Sequence, residues 1–265
     1  MKTINKIISR FKRDFIYRNH FDHYRDNLVY LKDSGYQFET ISSAHKKINH
    51  SRIDKLVCIR HDVDIEDFEG NEIFYEIEKS LNIKSSFYFR LSTIQIHKNL
   101  INKLLRDGFE VGYHFEEPST FMKENKIKDL NTLMKNSTTI QKKININIKI
   151  FESRINKKIL SICAHGDWIN RKYQFTNSIF VDKNILLKNS LLLEAYDKHF
   201  IKKFDCYITD TGNSKYIWKN NFSPINASQK KMNKLYILSH ERTFHLNYFA
   251  SWKSNLVAAY EKIIY

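Results

Sequence analysis

The stretch Leu56-Val57-Cys58-Ile59-Arg60-His61-Asp62-Val63-Asp64 decides the fold of this chain. Its short apolar run predicts a buried strand, which delivers the two carboxylates and the imidazole to its carboxyl end. Proteins of the α/β class place their chemistry at such strand ends. Because buried charges need a partner, the stretch indicates a metal or catalytic site. The alternative is a strand cap whose aspartates begin the next helix.

Three later apolar segments end in the same way. The predicted strands 109–113, 159–164 and 235–239 are followed by His114, His165 and His240, respectively. A single histidine at a strand end is more often a hydrogen-bonded structural residue than a ligand. Four such strands, far apart in the sequence, predict a parallel arrangement that brings these side chains to one rim, where clustered His and Asp residues mark metal or catalytic centres.

With these motifs the chain resembles the polysaccharide deacetylase (NodB-like) superfamily, in a divergent branch with a His-Asp-Val-Asp signature. The resemblance runs from Tyr24 to Phe244 and keeps the family's motif order. The motifs are 60–64 (RHDVD), 86–89 (SFYF), 110–116 (EVGYHFE), 163–166 (CAHG), 194–196 (EAY), 207–212 (YITDTG) and 237–240 (ILSH). The implied fold is α/β, a distorted (β/α) barrel with one metal-dependent hydrolase site at its rim and an extra N-terminal helical region.

The resemblance implies the roles of the acid and the base. Asp62 matches the family's catalytic base, and His240, in Leu238-Ser239-His240, matches its general acid. Val63 stands where the family has its metal-binding aspartate, so Asp64 is the expected substitute. Strand alternation places residues 62 and 64 on the same side of an extended strand, so both can reach one centre.

The resemblance also implies one divalent metal ion, expected to be Zn²⁺. His114 matches the first metal-binding histidine of the family, but Pro118 stands where the second histidine is expected. His165 is the first choice for the third ligand, because imidazole suits Zn²⁺ and related ions. Glu116 is the alternative.

Further polar residues are expected to contact the substrate. Arg60 could also pair with Asp62 and hold it ionised. Trp168 could stack on a sugar ring or pack in the core, as could Tyr113, and His61 is either an orienting or a structural residue. The predicted substrate-binding residues are Arg60, Glu116, Trp168, Glu194 and Asp210. For Glu194 and Asp210, a structural role in a loop is the alternative.

Length and cysteine content limit the class of protein to which the chain can belong. The 265 residues allow a sizeable core and predict a single domain over residues 1–265, with 1–35 as a helical extension. Cys58, Cys163 and Cys206 lie in predicted strands without a C-x-x-C pair, which favours a reduced, cytoplasmic protein. The sequence shows neither a signal peptide nor a transmembrane stretch.

The net charge of +15 favours anionic partners such as anionic glycans, nucleotide-linked sugars or phospholipid surfaces. The lysines are scattered, which favours a solvated basic surface, and the usual nucleic-acid motifs are missing, so no nucleic-acid partner is expected. Residues 1–19 have a basic amphipathic pattern that can lie on an anionic membrane or pack on the barrel. Its apolar positions are Ile4, Ile7, Ile8, Phe11 and Phe15.

The sequence predicts a metal-dependent hydrolase that removes an acyl group, expected to be acetyl, from an N-acyl amino sugar in a glycan or glycan precursor. A non-catalytic carbohydrate-binding protein on the same fold is the main alternative, because the second family histidine is lost. Two further alternatives are hydrolysis of another C–N bond and binding of nucleic acid.

Overall fold

The computed structural model describes residues 19–50, 54–210 and 217–265. The first 18 residues of the predicted N-terminal helical extension therefore lie outside the described residues. The helical region that was predicted to run to about Asp33 is present from Phe21 to Asp33. In the described ranges, no helix is both long enough and apolar enough to cross a membrane.

Parallel strands form one curled sheet in the order β6-β5-β4-β3-β2-β8-β7, with β1 paired to the first half of β2. The predicted α/β class and its barrel-like architecture are confirmed, because every strand pair is parallel and the sheet curls into a half-barrel. The strands are β1 (Gln37–Glu39), β2 (Leu56–Val63), β3 (Ser86–Phe89), β4 (Glu110–Phe115), β5 (Ser161–Ala164), β6 (Leu193–Glu194), β7 (Cys206–Thr209) and β8 (Lys234–Ser239).

Helices connect the strands, as crossovers between parallel strands require. Short 3₁₀ turns cover 177–180 and 219–221. The α-helices are α1 (Phe21–Asp33), α2 (Ile41–His50), α3 (Phe68–Ser80), α4 (Lys98–Arg106), α5 (Glu117–Glu124), α6 (Leu130–Lys135), α7 (Ser137–Ile155), α8 (Trp168–Tyr173), α9 (Lys183–Lys188), α10 (Lys198–Ile201), α11 (Pro224–Gln229), α12 (Glu241–Phe244) and α13 (Tyr248–Ile264).

Strand alternation divides the core in two. On β2, Val57, Ile59 and Val63 belong to the large cluster between the sheet and the surrounding helices. Leu56 and Cys58 belong to a smaller cluster inside the curled sheet. Arg60 and Asp62 continue this inner row toward the carboxyl end, since successive side chains point to opposite faces. The inner face of β2 thus changes from apolar to charged along its length.

Two predicted loops contain regular structure. The predicted polar connection 36–54 contains β1 and α2. Ile41 and Ala44 of α2 are fully buried against the smaller cluster inside the curled sheet, at the amino end of the half-barrel. The predicted loop 212–233 includes α11, whose N-terminus is capped by Ser223. Residues 145–148, whose alternating pattern was compatible with either a helix or a strand, are helical.

Candidate metal centre

The rim of the half-barrel gathers the polar residues that follow its strands. Asp62 lies near the end of β2, which is flanked by β3 and β8. His114 lies on β4 and pairs in register with Cys163 of β5, after which comes His165. His240 directly follows β8. Because all four strands are parallel and nearly adjacent, their carboxyl ends meet, as the sequence predicts.

Asp64, His114 and His165 form a compact set of three metal-ligand atoms. Asp64 Oδ1 lies 3.1 Å from His114 Nε2 and 3.5 Å from His165 Nε2, and the three atoms lie within 4.8 Å of one another. His114 Nδ1 lies 3.1 Å from the carbonyl oxygen of Cys163. A ring nitrogen can only donate to a carbonyl, so Nε2 is the nitrogen left to bind a metal. The three residues predicted as ligands are therefore brought together.

His165 lies beside His114, whereas Pro118 cannot serve as a ligand because its side chain has no donor atom. Pro118, at the expected position, lies buried in the first turn of α5. The His165 ring meets the His114 ring edge to face, with centroids 5.1 Å apart. Burial and the nearby Arg90 lower the pKa of His165 to about 4. The imidazole is thus neutral at neutral pH, which is the form that binds a metal.

Glu116, the alternative third ligand, is held by an arginine instead. Arg90 Nη2 donates to Glu116 Oε2 at 2.6 Å, and Nε donates to Oε1 at 3.2 Å. Arg90 Nη1 also donates to the backbone carbonyl of Asp64 at 3.1 Å. Burial raises the pKa of Glu116, but Arg90, His165 and Lys123 together outweigh burial, and the pKa is lowered. Arg90, which was not predicted from the sequence, therefore ties Glu116 to the candidate ligand Asp64.

Asp62 is paired with a fully buried arginine. Arg60 Nη2 donates to Asp62 Oδ2 at 3.0 Å, and Arg60 Nε lies 2.9 Å from Oδ1. The guanidinium stacks on the Tyr196 ring, 4.0 Å from its centroid, and donates to the Tyr236 hydroxyl at 3.3 Å. Burial raises the pKa of Asp62, but Arg60, His114 and His240 together outweigh burial, and the pKa lies below its usual value. Asp62 is therefore an ionised carboxylate beside the ligand set, 3.9 Å from His114 Nε2.

His240 lies on another side of Asp64, with its Nε2 3.9 Å from Asp64 Oδ2. Its Nδ1 lies 2.7 Å from Asp210 Oδ1, and its backbone N–H donates to Asp210 Oδ2, also at 2.7 Å. Burial lowers the pKa of His240, but Asp210, with Asp64 and Asp62, overcomes this and raises the pKa to about 10. His240 is thus a protonated imidazolium near neutral pH, held by Asp210, for which substrate contact and loop structure were the two predicted roles.

Two other predicted substrate contacts lie in structural hydrogen bonds. Glu194 accepts from the backbone N–H groups of Ala164 at 2.9 Å and Tyr196 at 3.0 Å, and burial raises its pKa to about 7. Trp168 is partly buried, and its indole N–H donates to Glu261 of α13 at 3.0 Å. Contact of either residue with substrate stays a prediction, as does that of Arg60.

His61 and Tyr113 face the helices and not the site. His61 Nε2 lies 2.8 Å from Glu78 Oε1, and its ring stacks on Phe87 at 4.3 Å. Tyr113 donates to Glu117 at 2.7 Å and packs near Phe151. Both belong to the outer side of their strands, so His61 is a structural histidine. In β2 and β4 the odd-numbered residues face the helices, so strand alternation in the sequence already indicated this side for His61 and Tyr113.

Two buried residues beside the site, Cys163 and Glu241, were not predicted from the sequence to belong to it. Cys163 was expected only in the core, yet its thiol donates to Asp62 Oδ1 at 3.5 Å, and Asp62, His114 and Cys163 form a second group of possible ligand atoms. Glu241 accepts from the backbone N–H of Ile65 at 3.2 Å. Burial, with Asp64 nearby, holds the pKa of Glu241 well above its usual value.

Comparisons with known proteins found similarity only among solved structures. No family model matches the sequence. No curated protein matches it either. A CE4 family pseudoenzyme from Bacillus anthracis is 13% identical, with a TM-score of 0.43 over 78% of this chain and 62% of that chain. A mutant of it with restored enzymatic activity gives 12% identity, the same TM-score, and coverage of 78% and 64%.

The peptidoglycan deacetylase PdaC from Bacillus subtilis is 13% identical, with a TM-score of 0.41 over 80% of this chain and 82% of that one. The present chain spans less than two thirds of the length of the Bacillus anthracis pseudoenzyme.

Proposed function

We propose that this protein is a metal-dependent hydrolase that removes an acetyl group from an N-acyl amino sugar. One observation carries the proposal: Asp64, His114 and His165 converge at the rim, between an ionised carboxylate at Asp62 and a protonated imidazole at His240. Environments that push the pKa values of an acid and a base apart identify the two catalytic roles. The N-acyl amino sugar as substrate rests on the motifs that the chain shares with the polysaccharide deacetylases.

The donor set suits a divalent metal ion of the Zn²⁺ type. Catalytic Zn²⁺ sites use three protein ligands, for example two imidazoles and a carboxylate, and keep a fourth position open for water. Asp64 supplies a carboxylate oxygen, and His114 and His165 each present Nε2. When bound, such an ion polarises the acyl carbonyl and lowers the pKa of its water.

Asp62 supplies the general base. Its carboxylate accepts a proton from the attacking water, and the buried Arg60 keeps it ionised between turnovers. Two contacts from one guanidinium also fix its orientation, which holds the accepting oxygen toward the ligand set. Asp62→Asn should therefore retain the metal and lose turnover.

His240 supplies the general acid. Because Asp210 fixes Nδ1, the other nitrogen, Nε2, points toward Asp64 and is free to give its proton to the departing amine. The backbone hydrogen bond to Asp210 prevents the ring and the loop after β8 from moving independently. Protonation of the nitrogen turns a poor leaving group into a neutral amine.

The test combines metal content with acetyl release. Elemental analysis should find about one Zn²⁺ per chain in the wild type, and none in His114→Ala. His199→Ala is the matched control, since His199 lies exposed on α10, and it should keep the metal. The wild type and His199→Ala, but not Asp62→Asn, should then release acetate from soluble N-acetylglucosamine oligomers.

Three outcomes would contradict the proposal. Absence of metal in the wild type after Zn²⁺ addition, with sugar binding retained, would favour a carbohydrate-binding protein on this fold. Full activity in Asp62→Asn would remove the assigned base. Metal binding with no acetate from any N-acetyl sugar would move the assignment to another C–N bond.

A further inference from the structure

Helix α13 presents its large apolar side chains to the outside. Its inward positions hold small or polar residues, and Ala250 and Ser251 are buried. Phe249, Trp252 and Ile263 are 72%, 55% and 84% exposed, respectively. An ordinary surface helix has the opposite arrangement, with its apolar stripe on the core. The exposed stripe, called here the outer face of α13, consists of Phe249, Trp252, Leu256, Val257, Tyr260 and Ile263.

The inward side of α13 is fixed to the rim that carries the candidate site. Asn247 donates to Asp67, and Lys253 forms an ion pair with Glu66, both in the segment that follows β2. Arg242, two residues after His240, donates to Ser254 at 3.2 Å. These contacts tie the first half of the helix to the carboxyl ends of β2 and β8.

The second half of α13 is held at the ends of β4 and β5. Glu261 accepts from Lys123 of α5 at 2.9 Å and from the indole of Trp168 at 3.0 Å. Lys123 also pairs with Asp167, just after β5. The helix therefore runs along the catalytic rim over roughly 25 Å at 1.5 Å per residue. Its outer face and the candidate metal ligands lie at the same end of the molecule.

The described part of the chain begins beside the same helix. His20 N–H donates to the carbonyl of Phe244 at 2.8 Å, and Leu246 N–H donates to Asn19 Oδ1 at 2.7 Å. Residues 1–18 precede this point in the sequence and lie outside the described residues. Apart from Asp14, their charged residues are all basic: Lys2, Lys6, Arg10, Lys12, Arg13 and Arg18.

We infer that the outer face of α13 docks on an anionic lipid bilayer, so that the rim faces the membrane and the substrate is a lipid-linked N-acyl amino sugar. Trp, Tyr, Phe and Leu on one helical face, with the exposed Lys253 and Lys262 on the same helix, are the chemistry of interfacial helices. Anionic headgroups complement these lysines and the net charge of +15. The substrate class, but not the docking, rests on the proposed function.

Vesicle co-sedimentation of the full chain tests the docking. The probes are vesicles of phosphatidylcholine alone, and of phosphatidylcholine with phosphatidylglycerol in equal amounts. The face variant is Trp252→Ser/Leu256→Ser/Ile263→Ser. The control variant is Ile146→Ser/Ile179→Ser/Leu187→Ser, which removes exposed apolar side chains elsewhere on the surface.

The wild type and the control variant should bind the anionic vesicles more tightly than the neutral ones. The face variant should lose at least about tenfold in partitioning, because apolar burial drives much of the binding. Raising the ionic strength from about 0.1 M to about 1 M, where the Debye length is only about 3 Å, should weaken wild-type binding.

Several results would overturn the docking. These are no binding of the wild type to either vesicle, or equal binding by the face variant. A wild-type dimer that the face variant makes monomeric, without vesicle binding, would assign the face to a second copy of the chain.

Activity separates failure of the docking from failure of the proposed function. The face variant should hydrolyse soluble N-acetylglucosamine oligomers like the wild type. It should lose activity on N-acetylglucosamine joined through a diphosphate to an isoprenoid chain in vesicles. Vesicle binding without hydrolysis of either substrate would contradict the proposed function but still support the docking. Equal hydrolysis of both substrates by the two proteins would overturn the substrate class.

Discussion

Asp210 accepts two hydrogen bonds from the same residue, His240, one from the backbone N–H and one from Nδ1, each at 2.7 Å. One carboxylate thus fixes both the loop after β8 and the orientation of the imidazole ring. If His240 is the general acid, as we propose, Asp210 orients it without touching the reacting atoms and is a positioning residue.

Asp210→Asn should lower kcat by about 10²-fold with little change in KM, because general acid–base catalysis contributes about 10²–10⁴-fold. An amide can accept through only one of its two terminal atoms, so one of the two bonds is lost. Initial rates on soluble N-acetylglucosamine oligomers, with zinc content measured in parallel, provide the check. Unchanged kcat with full zinc content would contradict the assigned role of His240.

The buried pair of Arg60 and Asp62 predicts a stability effect. Arg60→Met should destabilise the fold by about 3–5 kcal/mol, because removing one partner leaves an uncompensated buried charge. Adding Asp62→Asn should recover part of this loss, since the amide carries no charge. Urea unfolding of the wild type, the two single variants and the double variant gives the coupling energy. Strict additivity of the two changes would show that the pair is not coupled.

Strand-end chemistry was predictable from the sequence because it depends on local pattern. The alternation of β2 puts Asp62 and Asp64 on one side, and apolar runs locate the strands that carry His114, His165 and His240. The curled parallel sheet then brings these residues together without further information. The roles of the acid, the base and the ligands came from the family resemblance.

Arg60 was predicted as the partner of Asp62, but the partners of Glu116 and His240 were not predictable, because they depend on the spatial order of the strands. Arg90 meets Glu116 since β3 lies next to β4, and Asp210 meets His240 since β7 lies next to β8. Neither adjacency follows from local periodicity. The inverted face of α13 was hidden for a similar reason: an apolar stripe on a helix normally marks the side that packs on the core.

At Gly112 of β4, inside the half-barrel, there is no space for a side chain. A Cβ atom at this position would lie 2.4 Å from Tyr88 Cε1 and 2.8 Å from the Ser161 carbonyl oxygen. Gly112→Ala should therefore destabilise the protein by about 1–3 kcal/mol, the usual effect of overpacking. Gly166→Ala, where a Cβ would meet nothing within 4 Å, is the control and should stay within about 0.5 kcal/mol. Thermal unfolding of both variants decides, and equal melting temperatures would contradict the expectation.

His245 predicts a pH-dependent contribution to stability. Its Nδ1 lies 2.6 Å from Asp67 Oδ2, and this hydrogen bond raises the pKa of His245 above its usual 6.5. A group whose pKa is raised by folding stabilises the protein fully below its unfolded pKa, and this stabilisation disappears as pH rises through the folded pKa. The wild type should thus exceed His245→Gln in unfolding free energy by more at about pH 5.5 than at about pH 9.

Urea unfolding at the two pH values measures the difference, and His199→Gln, at an exposed histidine, is the control. A pH-independent gap between wild type and His245→Gln would show that the imidazole is not charged in this pair.

Zinc addition distinguishes the two choices for the third ligand. In chelator-treated wild-type protein, Zn²⁺ at about 100 times its Kd should raise the free energy of unfolding by about 2.7 kcal/mol, since the ion binds the folded state. Because His165 Nε2 lies 3.5 Å from Asp64 Oδ1, His165→Ala should abolish this gain. Glu116→Gln should keep most of it, because Glu116 is engaged by Arg90. Thermal unfolding with and without Zn²⁺ gives the shift for each variant, and loss of the gain in Glu116→Gln alone would transfer the ligand role to Glu116.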